Sequence, residues 1–107
     1  MIQDEQDYLH VGNRDALLKA VSILEKEAVI GVDLEADSMF HYQEKVCLLQ
    51  FSTPSNNILV DPLAVNDLSP LAPVFKSSET QKIFHGADYD IRSLYRDFEI
   101  EVNALFD

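Results

Sequence analysis

Cysteine is almost absent. Cys47 stands alone in a chain of 107 residues, which excludes an intramolecular disulfide framework and a cysteine-rich zinc site. A reduced, cytoplasmic setting is the expectation that follows. Glycine and proline are scarce, at three and four residues, which excludes collagen-like and linker-like chains. No apolar run approaches the roughly 18 residues that a membrane span requires, so no membrane partner is expected. The first residues, MIQDEQDYLH, are acidic and polar, unlike a secretory signal. Basic residues are few as well: eight Lys and Arg face nineteen Asp and Glu, a formal net charge of −11. Such a surface repels a phosphate chain at long range, because nucleic-acid binding ordinarily relies on cations that displace counterions. One arrangement escapes that objection. Carboxylates gathered around divalent ions hand the local field to the ions.

What remains is an ordinary globular composition, 47% hydrophobic and 25% charged, and a length that suits one small domain. Residues 8–11 read as a short edge strand. Asn13 is a plausible N-cap for a helix from Arg14 to about Glu27, whose Leu17, Leu18, Val21, Leu24 and Ala28 recur at spacings of three and four. The stretch 28–37, AVIGVDLEAD, begins nearly all apolar and reads as a buried central strand. KVCLLQFS (45–52) and NILV (57–60) read as two more strands, joined by the turn-rich TPSNN. These connections are short enough for antiparallel pairing. A helix broken or started at Pro70 and Pro73 follows over 68–76, then a strand over 82–85, a helix over 87–98 and a strand over 102–107. Three leading strands that pair as a meander, followed by alternating helix and strand, predict a mixed α/β sheet.

Some carboxylates sit where a bland domain does not need them. Asp33 and Glu35 are two apart on the central strand, so both project from one face, roughly 7 Å apart at Cα. Adjacent like charges are costly unless something neutralises them. A hard cation such as Mg²⁺ or Mn²⁺ takes such oxygen ligands; an acidic strand end that simply emerges into solvent is the other reading. On helix 87–98 the residues Ala87, Ile91, Leu94, Tyr95 and Phe98 form an apolar stripe, flanked by Asp88 on one side and Asp90 on the other. Either aspartate can face the sheet, and either can merely favour the helix N-terminus. His85 and Gly86 precede that helix; His85 is a ligand contact or a hydrogen-bonded structural residue. The aromatic loop Met39, Phe40, His41 and Tyr42 either stacks on nucleobases or covers the core edge. Cys47 reads as a buried core residue. No nucleophile elbow, glycine-rich phosphate loop or zinc spacing is present.

Together, VDLEADS (32–38), CLLQFS (47–52), FHGADYDIRSLYRDF (84–98) and LFD (105–107) resemble the DEDD superfamily of 3′–5′ exonucleases, in its ribonuclease D branch. D-x-E alone is a weak motif; D-x-E followed about fifty residues later by H-G-A-x-x-D-I is far more specific. The resemblance implies a ribonuclease H-like mixed sheet and places the family's catalytic and metal-binding carboxylates on Asp33, Glu35 and Asp90. It implies two divalent ions, Mg²⁺ or Mn²⁺, about 3.5–4 Å apart, and phosphodiester hydrolysis at a nucleic-acid 3′ end, with RNA the expected substrate. Met39 through Tyr42 and His85 become the expected substrate contacts.

The chain also departs from that pattern. The family's third motif is Tyr or His followed four residues later by Asp. His85 is followed by Tyr89, Tyr95 by Glu99, and no other Tyr or His meets the rule. Residues 1–107 are therefore expected to be the N-terminal portion of one exonuclease domain, incomplete at the C-terminus and inactive alone. An apolar sheet surface left bare by missing helices would favour self-association. The alternative is a non-catalytic interaction or scaffold domain derived from such a nuclease; a hydrolase of small phosphates is a remote third. Glu99 stands where members of that family often carry Gly, a residue that suits a left-handed helix end, so strain or a different closure is expected there.

Overall fold

A computed structural model of the chain describes residues 8–37, 45–103 and 105–106. The elements run β1 (Tyr8–Val11), α1 (Arg14–Leu24), β2 (Val29–Asp37), β3 (Lys45–Ser52) and β4 (Asn57–Val60). A 3₁₀ turn (Ser69–Leu71), α2 (Ala72–Lys76), β5 (Gln81–Phe84), α3 (Ala87–Phe98) and β6 (Leu105–Phe106) follow. The six strands form one sheet in the order β1-β4-β3-β2-β5-β6. β2, β3 and β4 pair antiparallel, while β1 joins β4, β5 joins β2 and β6 joins β5 in parallel.

The register sorts the strands into two faces. Ile30, Val32, Leu49, Phe51, Ile58 and Val60 share one face and are all buried. Leu17, Ala20 and Leu24 of α1, Val74 and Phe75 of α2, and Leu94 of α3 complete that core. Phe75 links it through ring contacts with Phe51, at 5.8 Å, and Phe84, at 6.4 Å. The opposite face carries Val29, Gly31, Asp33, Glu35, Leu48, Gln50, Ser52, Leu59 and Ile83, and is open. Burying one face and leaving the other wet is how Asp33 and Glu35 coexist with a core strand.

Caps and breakers explain the boundaries. The Asn13 side chain accepts from the Ala16 amide at 2.8 Å and starts α1 as expected. The helix ends at Leu24 rather than Glu27, because the amides of Lys26 and Glu27 reach back only three residues, to Ile23 and Leu24. Pro70 and Pro73 occupy first-turn positions of the 3₁₀ turn and of α2, where a missing N–H costs little. β6 is shorter than the expected 102–107. Asn103 gives its backbone N–H to Phe75 and its side-chain amide to Lys76, both at 2.8 Å, capping α2 instead of extending a ladder.

Two residues depart from the sequence pattern. Cys47 is half-buried rather than in the core, because it is the extra residue of a β-bulge. Glu35 pairs with Leu48 and Ala36 with Val46, so Cys47 is skipped, and its Sγ lies 3.4 Å from the Glu35 carbonyl oxygen. Lys82 points into the core, fully buried, and donates to the Ser77 carbonyl at the end of α2. Burial pushes its pKa below the ordinary lysine value.

α3 closes on Glu99, which takes the left-handed conformation at φ 57° and is the one non-glycine residue with positive φ among those described. Its N–H bonds the Tyr95 carbonyl at 2.9 Å. The helix end thus keeps the closure that glycine suits, using a residue for which that conformation costs about 1–2 kcal/mol. Glu99→Gly is expected to stabilise the fold by about 0.5–1 kcal/mol after the extra unfolded-chain entropy of glycine is counted. A rise in the urea midpoint at unchanged slope would show it; an unchanged or lower midpoint would count against the strain.

Candidate active site

The site is built where β2, β5 and the start of α3 meet. Val32 pairs with Phe84 in parallel register, so the next residues, Asp33 and His85, leave neighbouring strands at the same level. Both line an open cleft of about 440 Å³, together with Gly31, Gln50, Ser52 and Ile83. Gly31 forms part of the floor; a Cβ there would stand 2.6 Å from the Ser52 hydroxyl oxygen. Gln50 and Ser52 enter because they pair with Asp33 and Gly31 across the antiparallel ladder. Nothing local in the sequence marks them, since their role depends on register.

Glu35 projects from the same face two residues further along β2 and is exposed. It lines a separate depression of about 520 Å³ shared with His10, Cys47, Leu48, Leu59 and Asp61. The paired carboxylates therefore stand between two hollows on the open face. The bulge at Cys47 follows directly after Glu35, and bulges of this kind re-aim a neighbouring side chain.

The helix decides between its two aspartates. Asp88 is exposed and pairs with Arg92 at 3.6 Å. Asp90 is 6% exposed, and its carboxyl pKa is raised, first by burial and then by the negative charge of Asp33, with His85 acting in the opposite direction. Asp90 thus feels the charge of a carboxylate on an element more than fifty residues away in the chain. The buried side of α3 is Ala87, Asp90, Ser93 and Leu94. Tyr95, expected in the apolar stripe, is 58% exposed, and Ile91 and Phe98 are half-buried. The helix is rotated toward its polar edge, which is what brings Asp90 inward.

Met39, Phe40, His41 and Tyr42 lie outside the described residues. Among the described residues, no three His, Cys, Asp or Glu side chains stand close enough to enclose a metal ion. The donor set nevertheless suits a hard cation. Mg²⁺ is commonly held by one or two carboxylates, with waters and substrate phosphates completing the shell, and a cation here would relieve the repulsion between Asp33 and Asp90.

Comparison with known proteins then decides the family. Residues 8–107 match the family described as 3′–5′ exonuclease. The chain belongs to the 3′–5′ exonuclease family. Protein RRP6-like 3 of Arabidopsis thaliana is 38% identical over 107 residues, covering 99% of this chain and 12% of that protein. The exosome complex exonuclease RRP6 of Saccharomyces cerevisiae is 43% identical over 79 residues, covering 73% of this chain and 11% of that protein. The chain therefore spans about an eighth of the length of the first of these relatives and less of the second. The catalytic core of RRP6 from Trypanosoma brucei superposes with a TM-score of 0.89 at 39% identity, over 94% of this chain and 28% of that one. Escherichia coli RNase D superposes with a TM-score of 0.85 at 24% identity, over 94% and 27%. The mixed sheet is that of the ribonuclease D and RRP6 exonucleases.

The raised pKa of Asp90 has a signed consequence. A carboxyl whose folded pKa exceeds its unfolded value of about 3.8 favours the protonated fold, so its full penalty is felt above the folded pKa and fades as pH falls through it. Asp90→Asn is expected to raise the melting temperature at pH 7, with the gain shrinking as pH falls toward 3. Equal melting temperatures at pH 7, or a gain that grows in acid, would contradict the assignment.

Proposed function

We propose that residues 1–107 form the N-terminal portion of a 3′–5′ exonuclease domain that hydrolyses phosphodiester bonds at the 3′ end of RNA with two divalent ions. One observation carries this reading: Asp90 is buried within reach of the charge of Asp33, on the sheet face that also presents Glu35. A generic acidic domain has no reason to bury a carboxyl beside another. The choice of RNA draws on the relatives, since the E. coli RNase D is described as an exoribonuclease involved in structured RNA processing.

Asp33, whose charge acts on Asp90, would share both ions; Glu35 would help hold the one on the side of the attacking water. Asp90 would act on the other, through an intervening water. Mg²⁺ or Mn²⁺, when bound, supplies positive charge for the scissile phosphate and lowers the pKa of a bound water. His85, exposed at the cleft mouth, would contact the substrate, as would Met39, Phe40, His41 and Tyr42. The net charge of −11 is reconciled with a polyanionic substrate because the ions, not Lys or Arg, supply the local positive field. Val29 and Ile83, 42% and 40% exposed on the open face, would favour self-association.

The sequence holds no Tyr or His followed four residues later by Asp. This chain alone is therefore proposed to bind the metal without turning over RNA; the scaffold reading draws on the same observation. Calorimetric titration with Mn²⁺ separates the two. Millimolar or tighter binding is expected for the unaltered chain, weakened at least about tenfold by Asp33→Asn, which removes about 1.4 kcal/mol or more of binding energy. No binding by the unaltered chain favours the scaffold. Incubated with single-stranded RNA and Mn²⁺, the chain is expected to leave it intact, and efficient 3′ trimming would refute the proposed incompleteness.

A further inference from the structure

Asp97 follows Asp90 by seven residues on α3, about two turns, so the two side chains leave the same side of the helix. Ser93 and Leu94, between them on that side, are buried. The stripe that begins beside Asp33 thus ends at Asp97, whose side chain is 13% exposed. Its Oδ2 accepts the Val46 backbone N–H at 2.8 Å. Arg96 donates Nε to Oδ1 at 2.7 Å and Nη2 to Oδ2 at 3.1 Å. Val46 is the partner of Ala36 on β2, immediately beyond the bulge that follows Glu35. β4 runs only as far as the level of Leu49, so Asp97 takes up an amide where β3 has outrun that neighbour.

We propose that Asp97 is a positioning residue: by anchoring α3 to the Val46 amide, it sets the Asp90 carboxylate against Asp33. This inference rests on the metal-dependent reading above, which supplies the reason for the spacing. The start of α3 lacks a side-chain cap, and Asp97 supplies a polar anchor against rotation at its far end. Side chains reach about 5–6 Å from a helix axis. A rotation of about 20° therefore moves a carboxylate by about 2 Å, as much as a whole Mg²⁺–oxygen bond of about 2 Å. One contact two turns from the site can thus decide whether Asp90 and Asp33 serve the same ions.

Titration of the chain with Mn²⁺ alone tests this. Asp97→Ala is expected to weaken Mn²⁺ at least about tenfold. Asp97→Asn, which keeps an acceptor for Val46, should stay within about threefold of the unaltered chain. Leu24→Ala, in the core of α1, is the control for lost stability alone and should bind as the unaltered chain does. In an Asp90→Asn background Asp97→Ala should add nothing further. Full affinity in Asp97→Ala, or an equal loss in Leu24→Ala, overturns the proposal. Should Asp97→Ala fail to fold, Asp97→Glu keeps the charge on a longer tether; weaker Mn²⁺ binding supports the proposal and unchanged binding overturns it. A chain that binds no Mn²⁺ sinks the metal reading, and residual dipolar couplings then judge Asp97 separately. Amide vectors of 87–98 that reorient against β2 and β3 in Asp97→Ala, or in Asp97→Glu, support positioning; unchanged vectors overturn it.

Discussion

Burial of the Asp90 carboxyl, with the charge of Asp33 acting on it, is the constraint around which the rest is arranged. A carboxyl at 6% exposure beside a second carboxylate loses solvation and gains an unfavourable neighbour, and both effects oppose folding. The fold tolerates this because everything around the pair is over-determined. β2 is held on both sides, antiparallel to β3 and parallel to β5. Its alternate residues, Ile30 and Val32, are locked into the core. A slip of one residue would turn Asp33 into that core and Val32 into solvent, so the burial that stabilises the sheet also fixes where the charge points.

Much of this was legible from the chain itself. Period-two alternation put Asp33 and Glu35 on one face, and β3, β4 and α3 end where the apolar pattern and the turn residues place them. The choice between Asp88 and Asp90 was not legible by helical spacing, because both border the apolar stripe. What decides it is a rotation of α3 toward Ser93 and Asp97 that exposes Tyr95, and a rotation set by contacts with other strands leaves no mark in local periodicity. The resemblance to ribonuclease D pointed to Asp90, the aspartate that the structure buries; its catalytic role belongs to the proposal. Gln50 and Ser52 were invisible for the same reason, since they reach the cleft through cross-strand register. Cys47 misled because an apolar run does not announce a bulge. The burial of Lys82 leaves no local mark either, since it depends on the Ser77 carbonyl at a helix end.

The acidic balance gains a different meaning in this setting. Charge alone argues against a phosphate-bearing partner, and over most of the surface that argument stands. It fails locally when negative side chains are the means of holding cations. Family membership rests on residues 8–107, whereas the sizes of the RRP6 relatives leave most of their length outside this comparison. The bulge at Cys47, the anchor at Asp97 and the left-handed Glu99 all lie close to the carboxylates or on the helix that carries one. Departures from regular geometry are thus concentrated where the chemistry is proposed, with the α1 side of the core regular.

Diffraction from crystals of the chain soaked in Mn²⁺, read at a wavelength where manganese scatters anomalously, tests the central claim most directly. The account predicts an anomalous peak at coordination distance from Asp33, with Glu35 or Asp90 turned toward it. Peaks confined to other surface carboxylates, with Asp33 and Asp90 bare at saturating Mn²⁺, would contradict it.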